Sequence, residues 1–177
     1  MLPLGKRPFS TSTKVSHDER SEMLILAIDP GETLGYVLVE LTEFVGGSPN
    51  LEVEDADQFQ LKVDKQGFNW GSVSVVVTDL LSEEPDVIVI EDYRVYASKA
   101  LAHIGSRALT SELIGAICQE AGIAMIPVVR IPAGRKGLWP PARLKAKFTS
   151  DIPIPHPHAG DALILALIYA EDKGWKV

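Results

Sequence analysis

The chain has 177 residues, of which 46% are hydrophobic and 23% are charged, and its formal net charge is −7. These values are typical of one globular domain with an adequate core, and the single cysteine, Cys118, excludes a disulfide framework and a thiolate zinc site and favours a reducing compartment. The longest apolar runs, such as residues 162–170, are much shorter than the roughly 20 residues of a membrane span, so we expect no membrane crossing.

The first 22 residues differ in composition from the rest of the chain. They combine early prolines and a glycine with a Ser/Thr cluster and scattered charges, which is typical of a disordered leader. The absence of acids before Asp18 weakly resembles an organellar transit peptide, but the early prolines and glycine oppose the amphipathic helix that such a peptide forms. We therefore predict a disordered leader over residues 1–22 and one domain over residues 23–177.

Strands dominate the first half of that domain. Residues 23–29 and 35–44 have strand-like patterns, and the turn residues 46–50 lead into a third strand near 51–63, so the three strands are predicted to form an antiparallel meander. A helix is predicted over residues 69–82, ahead of a fourth strand at 87–91.

Helices dominate the second half. A long helix is predicted over residues 98–121, a strand over 123–129, a loop over 131–141, a short basic helix over 142–148 and a last helix over 159–172. No internal repeat is present. The fold class expected from this order is α/β, with a mixed five-stranded sheet flanked by helices.

Three acids, far apart in the chain, follow strands or open a helix. Asp29 ends the first predicted strand, Glu91 ends the fourth, and Asp161 begins the apolar last helix. Ligands of such sheets gather at the carboxyl ends of strands, and three acids that meet there repel each other strongly unless cations neutralise them. The pattern favours a two-metal phosphodiesterase, although a turn, a solvated strand end and a helix cap are the plainer interpretations of the same acids.

One segment of the chain is basic despite the net charge. Residues 121–150 contain no acid, and two aromatic residues, Trp139 and Phe148, are interleaved with the basic ones. Such a segment can contact phosphates and stack on exposed bases, although a solvated basic loop and helix is an equally good interpretation. Its six basic residues are Arg130, Arg135, Lys136, Arg143, Lys145 and Lys147.

Three motifs carry a family resemblance. Asp29-Pro30-Gly31-Glu32-Thr33-Leu34-Gly35-Tyr36, Ile90-Glu91-Asp92-Tyr93 and His158-Ala159-Gly160-Asp161-Ala162 resemble, in order and spacing, the signatures of RuvC-type Holliday junction resolvases. The resemblance covers residues 23–169. It implies a ribonuclease H-like fold, a homodimer, magnesium or manganese as cofactor, two ions per site, and cleavage of branched DNA that leaves a 5′-phosphate and a 3′-hydroxyl.

Site roles follow from that resemblance and from the chemistry of phosphodiester hydrolysis. Hard divalent cations prefer carboxylate oxygens, so Asp29 is expected to bridge two ions and Glu91 and Asp161 to complete their coordination. His158, three residues before Asp161, is expected to bind a metal or to handle the proton of the attacking water. Asp92 points to the opposite face of its strand from Glu91.

The expected DNA contacts come from aromatic and basic residues. Tyr93 and Tyr96 are candidates to stack on DNA and are equally good candidates for core aromatics. Lys136 and Arg135 are the best candidates to hold the scissile phosphate. Trp139 is expected to stack on a base, and the basic residues of the short helix, Arg143, Lys145 and Lys147, to follow the backbone.

Several alternatives stay open. The chain departs from the bacterial resolvases in residues 1–22 and in the proline-rich stretch 132–155, which suits a divergent, phage-type member in the cytoplasm of a prokaryotic or infected cell. An RNA-processing nuclease of the same superfamily and a non-catalytic nucleic-acid-binding domain are the rivals, whereas an actin-like ATPase needs a duplicated domain and a longer chain. Small residues in the helix 98–121 make it the candidate dimer interface.

Overall fold

The computed structural model describes residues 20–44, 50–61, 63–64, 67–92, 104–147 and 156–175. The predicted leader lies outside these residues except at its end, where residues 20–22 already belong to the first strand. The strands are β1 (Arg20–Asp29), β2 (Thr33–Phe44), β3 (Asn50–Gln60), β4 (Val63–Asp64), β5 (Gly67–Phe68), β6 (Val87–Asp92) and β7 (Val128–Pro132). The helices are α1 (Trp70–Leu81), α2 (Ile104–Ile123), α3 (Pro141–Lys147) and α4 (Pro157–Asp172), with a 3-10 helix at Ala133–Leu138.

Five of the strands form one mixed sheet in the order β3-β2-β1-β6-β7. Strands β1, β2 and β3 pair in antiparallel fashion, whereas β6 pairs in parallel with β1 and with β7. The predicted α/β architecture, an antiparallel meander continued by parallel strands, is therefore confirmed.

The central position of β1 explains its composition. Its residues 25–28 are at most 1% exposed, because helices cover both faces of the sheet and an apolar side chain is needed on each side. Helix α4 packs on one face with Ile25, Ala27 and Trp139, and helices α1 and α2 pack on the other with Leu26 and Ile28. The core therefore lies in two layers, one on each side of the sheet.

The order of the elements was predicted correctly, but several bounds were wrong. Helix α2 continues to Ile123, so the strand predicted at 123–129 begins only at Val128. The tight turn between them includes Met125, whose φ of 59° is unusual for a residue with a side chain. The predicted loop after residue 131 contains the end of β7 and the 3-10 helix, and the small hairpin of β4 and β5 was not predicted.

None of the helices in the described parts of the chain is both long enough and apolar enough to span a membrane.

Candidate active site

The sheet brings two of the predicted acids to one edge. Strands β1 and β6 are parallel with Ile28 opposite Ile90, so the residues that follow, Asp29 and Glu91, lie at the same level near the carboxyl ends of their strands. Both side chains are largely buried, with residue exposures of 7% and 8%. Two acids withdrawn from water at one place require a cation or a shared proton.

The amino-terminal turns of α4 bring the other two predicted residues to the same edge. His158 Nδ1 lies 2.9 Å from Asp29 Oδ2, and Asp161, one turn further along the helix, shares a cationic partner with Asp29. The four residues predicted from sequence, Asp29, Glu91, His158 and Asp161, therefore lie together.

The partner that these acids share is Lys136. Its Nζ lies 2.7 Å from Asp29 Oδ1, 2.7 Å from Glu91 Oε2 and 3.2 Å from Asp161 Oδ2. The 3-10 helix after β7 carries Lys136 over the end of the sheet, so its ammonium group meets carboxylates from β1, β6 and α4. From the sequence, Lys136 was predicted to hold the scissile phosphate. Its contacts with the three acids were not predicted.

The pKa values of the two buried carboxyl groups are shifted in opposite directions, with that of Glu91 raised and that of Asp29 lowered. Burial, together with a hydrogen bond to Asp29, raises the pKa of Glu91 to about 7 despite the opposing ammonium of Lys136. Burial also opposes ionisation of Asp29, but its hydrogen bonds with Glu91, Lys136 and His158 and the charge of Lys136 hold its pKa below the usual value. The Lys136 pKa is raised, because Asp29 and Glu91 outweigh the effect of burial. Near neutral pH, Asp29 is the ionised member of the pair and Glu91 takes up a proton readily.

The other side of Asp29 faces open space. A cleft of about 420 Å³ is lined by Asp29, Pro30, Gly31, Glu32, Thr33 and His158. The His158 side chain is 45% exposed, whereas that of Asp29 is 10% exposed. Oxygen Oδ1 of Asp29 is thus engaged by Lys136, while Oδ2 and His158 border the cleft.

A close approach of two backbones positions His158. A Cβ atom placed on Gly35 of β2 would lie 2.2 Å from the His158 carbonyl carbon and 2.3 Å from its oxygen. No side chain fits in that space, so only glycine lets the start of α4 reach this part of the sheet. The sequence motif contained Gly35, but its spacing gave no indication that the glycine contacts His158.

Two of the six basic residues of the basic segment pair with acids at the end of α4. Arg135 forms two hydrogen bonds with Asp172, at 2.5 and 2.8 Å, and Arg143 pairs with Glu171. The expectation that Arg135 holds a phosphate therefore competes with an existing bidentate ion pair. These ion pairs were not predicted, because Asp172 lies 37 residues beyond Arg135 and Glu171 lies 28 residues beyond Arg143.

Trp139 is a core residue in this structure, which disagrees with its predicted stacking on DNA. The residue is 2% exposed, its Nε1 donates a hydrogen bond to Glu171 at 3.1 Å, and the Arg143 guanidinium lies 3.8 Å from the ring centroid. A ring packed in this way has no free face for a base. The prediction failed because a tryptophan between basic residues also suits an amphipathic segment that folds onto a helix.

The remaining predicted contacts fall into two groups. Lys145 and Lys147 are exposed, and within the described part of the chain neither forms an ion pair, so both are available to an anionic partner. Tyr93, Tyr96 and Phe148 lie outside the described residues. In the proposed dimer helix, Gly115 is exposed and Ala116 is half-buried, whereas residues 98–103 lie outside the described ranges.

Two solved structures match this architecture. The Thermus thermophilus RuvC structure matches with a TM-score of 0.63 and 19% sequence identity, over 86% of this chain and 98% of that one. T. thermophilus RuvC in complex with Holliday junction substrate matches with a TM-score of 0.60 and 20% identity, over 86% of this chain and 97% of that one. The chain has a RuvC-like fold. Comparisons with protein-family models and with curated protein sequences find no match.

The RuvC-like chain does not present a preformed metal site among its described residues. No three of their His, Cys, Asp and Glu side chains are arranged to hold an ion. The Lys136 ammonium lies among the oxygens of Asp29, Glu91 and Asp161. The predicted roles of these residues as metal ligands stay a prediction.

Proposed function

We propose that this protein is a metal-dependent endonuclease that cleaves branched DNA, such as four-way junctions. The observation that carries the proposal is the convergence of Asp29, Glu91, His158 and Asp161 at the carboxyl edge of a RuvC-like sheet. A non-catalytic domain of the same fold has no need for buried acids at this edge, since each of them opposes folding unless it is neutralised.

The residues fit a divalent cation. Magnesium and manganese prefer oxygen ligands, and three carboxylates from three elements already lie within 3.2 Å of one positive charge. Asp29, Glu91 and Asp161 would hold the metal. Bound magnesium or manganese would supply Lewis-acid stabilisation of charge on the phosphodiester and would lower the pKa of the attacking water.

His158 is suited to proton transfer. Nδ1 lies 2.9 Å from Asp29 Oδ2, and an imidazole that donates its Nδ1 hydrogen to this carboxylate keeps Nε2 as a proton acceptor. The exposed ring borders the open cleft. We therefore assign His158 as the general base that takes a proton from water at Nε2, with Asp29 orienting the ring.

The DNA surface is assigned to the exposed end of α3. Lys145 and Lys147 lie on that helix without ion pairs among the described residues, and they would contact backbone phosphates irrespective of sequence. A homodimer is the arrangement that gives two symmetric nicks in a four-way junction, since a twofold axis relates both the protein and the substrate.

The decisive experiment compares substrates and metals. Labelled four-way junction, flap, linear duplex and structured RNA are incubated with the purified protein in magnesium, in manganese and in chelator, next to the Asp29→Asn variant as control. We expect metal-dependent cleavage of the junction in preference to the duplex, and none by the variant. Preferential cleavage of the RNA would support the rival RNA-processing function, and no metal-dependent cleavage of any substrate would refute the proposal.

A further inference from the structure

The carboxylate cluster already contains a cation that belongs to the chain. Lys136 Nζ is within 3.2 Å of one oxygen from each of Asp29, Glu91 and Asp161. Its side chain is 18% exposed and those of Asp29 and Glu91 are 10% and 11% exposed, so these two contacts are sheltered from water and from salt. The Asp161 side chain is 48% exposed. Surface lysines rarely meet three acids at such distances, because their side-chain entropy opposes it.

A divalent ion that binds these three carboxylates has to occupy the space that the ammonium fills. Magnesium binds its oxygen ligands at about 2.0 to 2.1 Å and has its own positive charge, so it cannot share the position with Lys136. The second face of Asp29 differs, because Oδ2 is directed to His158 and the open cleft. The competition therefore concerns only the side of Asp29 that faces Glu91 and Asp161.

We propose that Lys136 is a tethered counter-ion that occupies the metal position between Asp29, Glu91 and Asp161 in the metal-free protein and is displaced when a divalent cation binds there. The inference rests on the proposed function, because it assumes that this cluster is the metal site. Lys136 keeps the acids together before the metal arrives, and it weakens metal binding, because the ion must break three existing contacts.

The position of Lys136 in the chain suits this role. The residue lies in the 3-10 helix between β7 and α3, and this helix is tied to the end of α4 by the ion pair of Arg135 with Asp172. The backbone of residue 136 can stay in place while the long, flexible side chain swings out of the cluster. Displacement therefore requires a change of side-chain conformation and no rearrangement of the sheet.

The first test measures metal affinity and stability in the Lys136→Met variant, with Lys145→Met as the matched control. Calorimetric titration with manganese chloride should give about tenfold or tighter binding to Lys136→Met than to the natural protein, since no buried ion pair has to be broken. The same variant without metal should melt roughly 5 °C lower, because it leaves buried carboxylates without their counter-ion. The control should change neither value.

The second test uses the natural protein and does not depend on whether the variant folds. An amine-acylating reagent is applied with and without manganese, and modification of each lysine is followed by mass spectrometry. Lys136 should be protected in the metal-free protein and should react several times faster in saturating manganese, whereas the exposed Lys145 provides the internal standard.

The possible outcomes separate this inference from the proposed function. The counter-ion role would be overturned if manganese binds to the natural protein without changing the reactivity of Lys136. Equal manganese affinities for the natural protein and Lys136→Met would overturn it too. Either result would leave the nuclease proposal standing. Absence of any manganese binding would overturn both. Faster acylation of Lys136 in manganese, together with tighter binding by the variant, would support both.

Discussion

The contact between Gly35 and His158 gives the sharpest prediction about how the site is positioned. In Gly35→Ala the new Cβ would lie 2.2 Å from the His158 carbonyl carbon, whereas ordinary contacts begin at 3.4 Å, so the start of α4 has to move by about 1.2 Å. Overpacking of this kind typically costs about 1 to 3 kcal/mol. For a domain of this size that corresponds to a melting temperature lower by roughly 2 to 12 °C.

The same displacement would affect activity more than stability. His158 and Asp161 move with the start of α4, and a misplacement of about 1 Å can lower a rate by roughly 10²-fold. Gly122→Ala in α2 is the matched control, because a Cβ there meets no atom within 4 Å, alanine favours a helix and the residue lies beyond the candidate dimer interface at 98–121. Junction cleavage rates and thermal unfolding curves are measured for both variants. Unchanged cleavage and an unchanged melting temperature in Gly35→Ala would refute the close approach of β2 and α4.

Three further predictions concern charge. Asp29→Asn should keep the fold and DNA binding but lose cleavage, because the amide retains the shape and removes the charge that a metal needs; near-normal cleavage in magnesium would contradict the site. Because the folded-state pKa of Glu91 is raised from 4.5 to about 7, the folded protein binds this proton more tightly than the unfolded chain, so metal-free stability should decrease as the pH rises through that range. Glu91→Gln should flatten this decrease in thermal unfolding followed against pH, and identical pH profiles would argue against the shared proton. Replacing Lys145 and Lys147 by alanine should weaken binding to junction and duplex alike and reduce the slope of log affinity against log salt by about one unit per lost phosphate contact, whereas an unchanged slope would exclude α3 from the DNA surface.

Sequence patterns predicted the sheet well because apolar runs mark its two central parallel strands. The run before Asp29 and the run before Glu91 each end abruptly in an acid, and near-continuous apolar runs are typical of strands that are buried on both faces. The same reasoning placed both acids at one sheet edge, where the structure has them. The strands and the acids near their ends depend on residues that are neighbours in the chain, so patterns in the sequence predicted them.

The predicted end of α2 and start of β7 were wrong because the residues between them suit two kinds of secondary structure. Residues 121–126 have enough apolar character for either a strand or the end of a helix, and in the structure α2 continues to Ile123 with Ala121 buried in the core. Tertiary contacts override intrinsic preference in such short segments. The sequence contains no marker that separates the two possibilities.

The ion pairs of the basic segment were likewise not predictable from the local sequence. Six positive charges without an intervening acid predicted a DNA surface, but Arg135 and Arg143 meet acids from the end of α4 and Trp139 packs beneath Arg143. Those acids are remote in sequence, so a window along the chain cannot detect that the charges are already paired. Among the described residues of this segment, the basic side chains that form no ion pair are therefore fewer than the count of basic residues indicates, and they include Lys145 and Lys147.

Burial of the acids at the sheet edge, more than the sequence motif, explains why their charges have to be compensated. Asp29 and Glu91 must stay largely dehydrated because the strands that carry them are central, and a dehydrated carboxylate is stable only with a proton or a cation nearby. The fold supplies both, the proton at Glu91 and the ammonium of Lys136. A divalent ion that replaces the ammonium also favours loss of that proton, so metal binding should release protons and should tighten as the pH rises. If Lys136 has the proposed counter-ion role, the acids, the lysine and the metal are parts of one equilibrium, in which the lysine side chain holds the place of the ion in the metal-free protein.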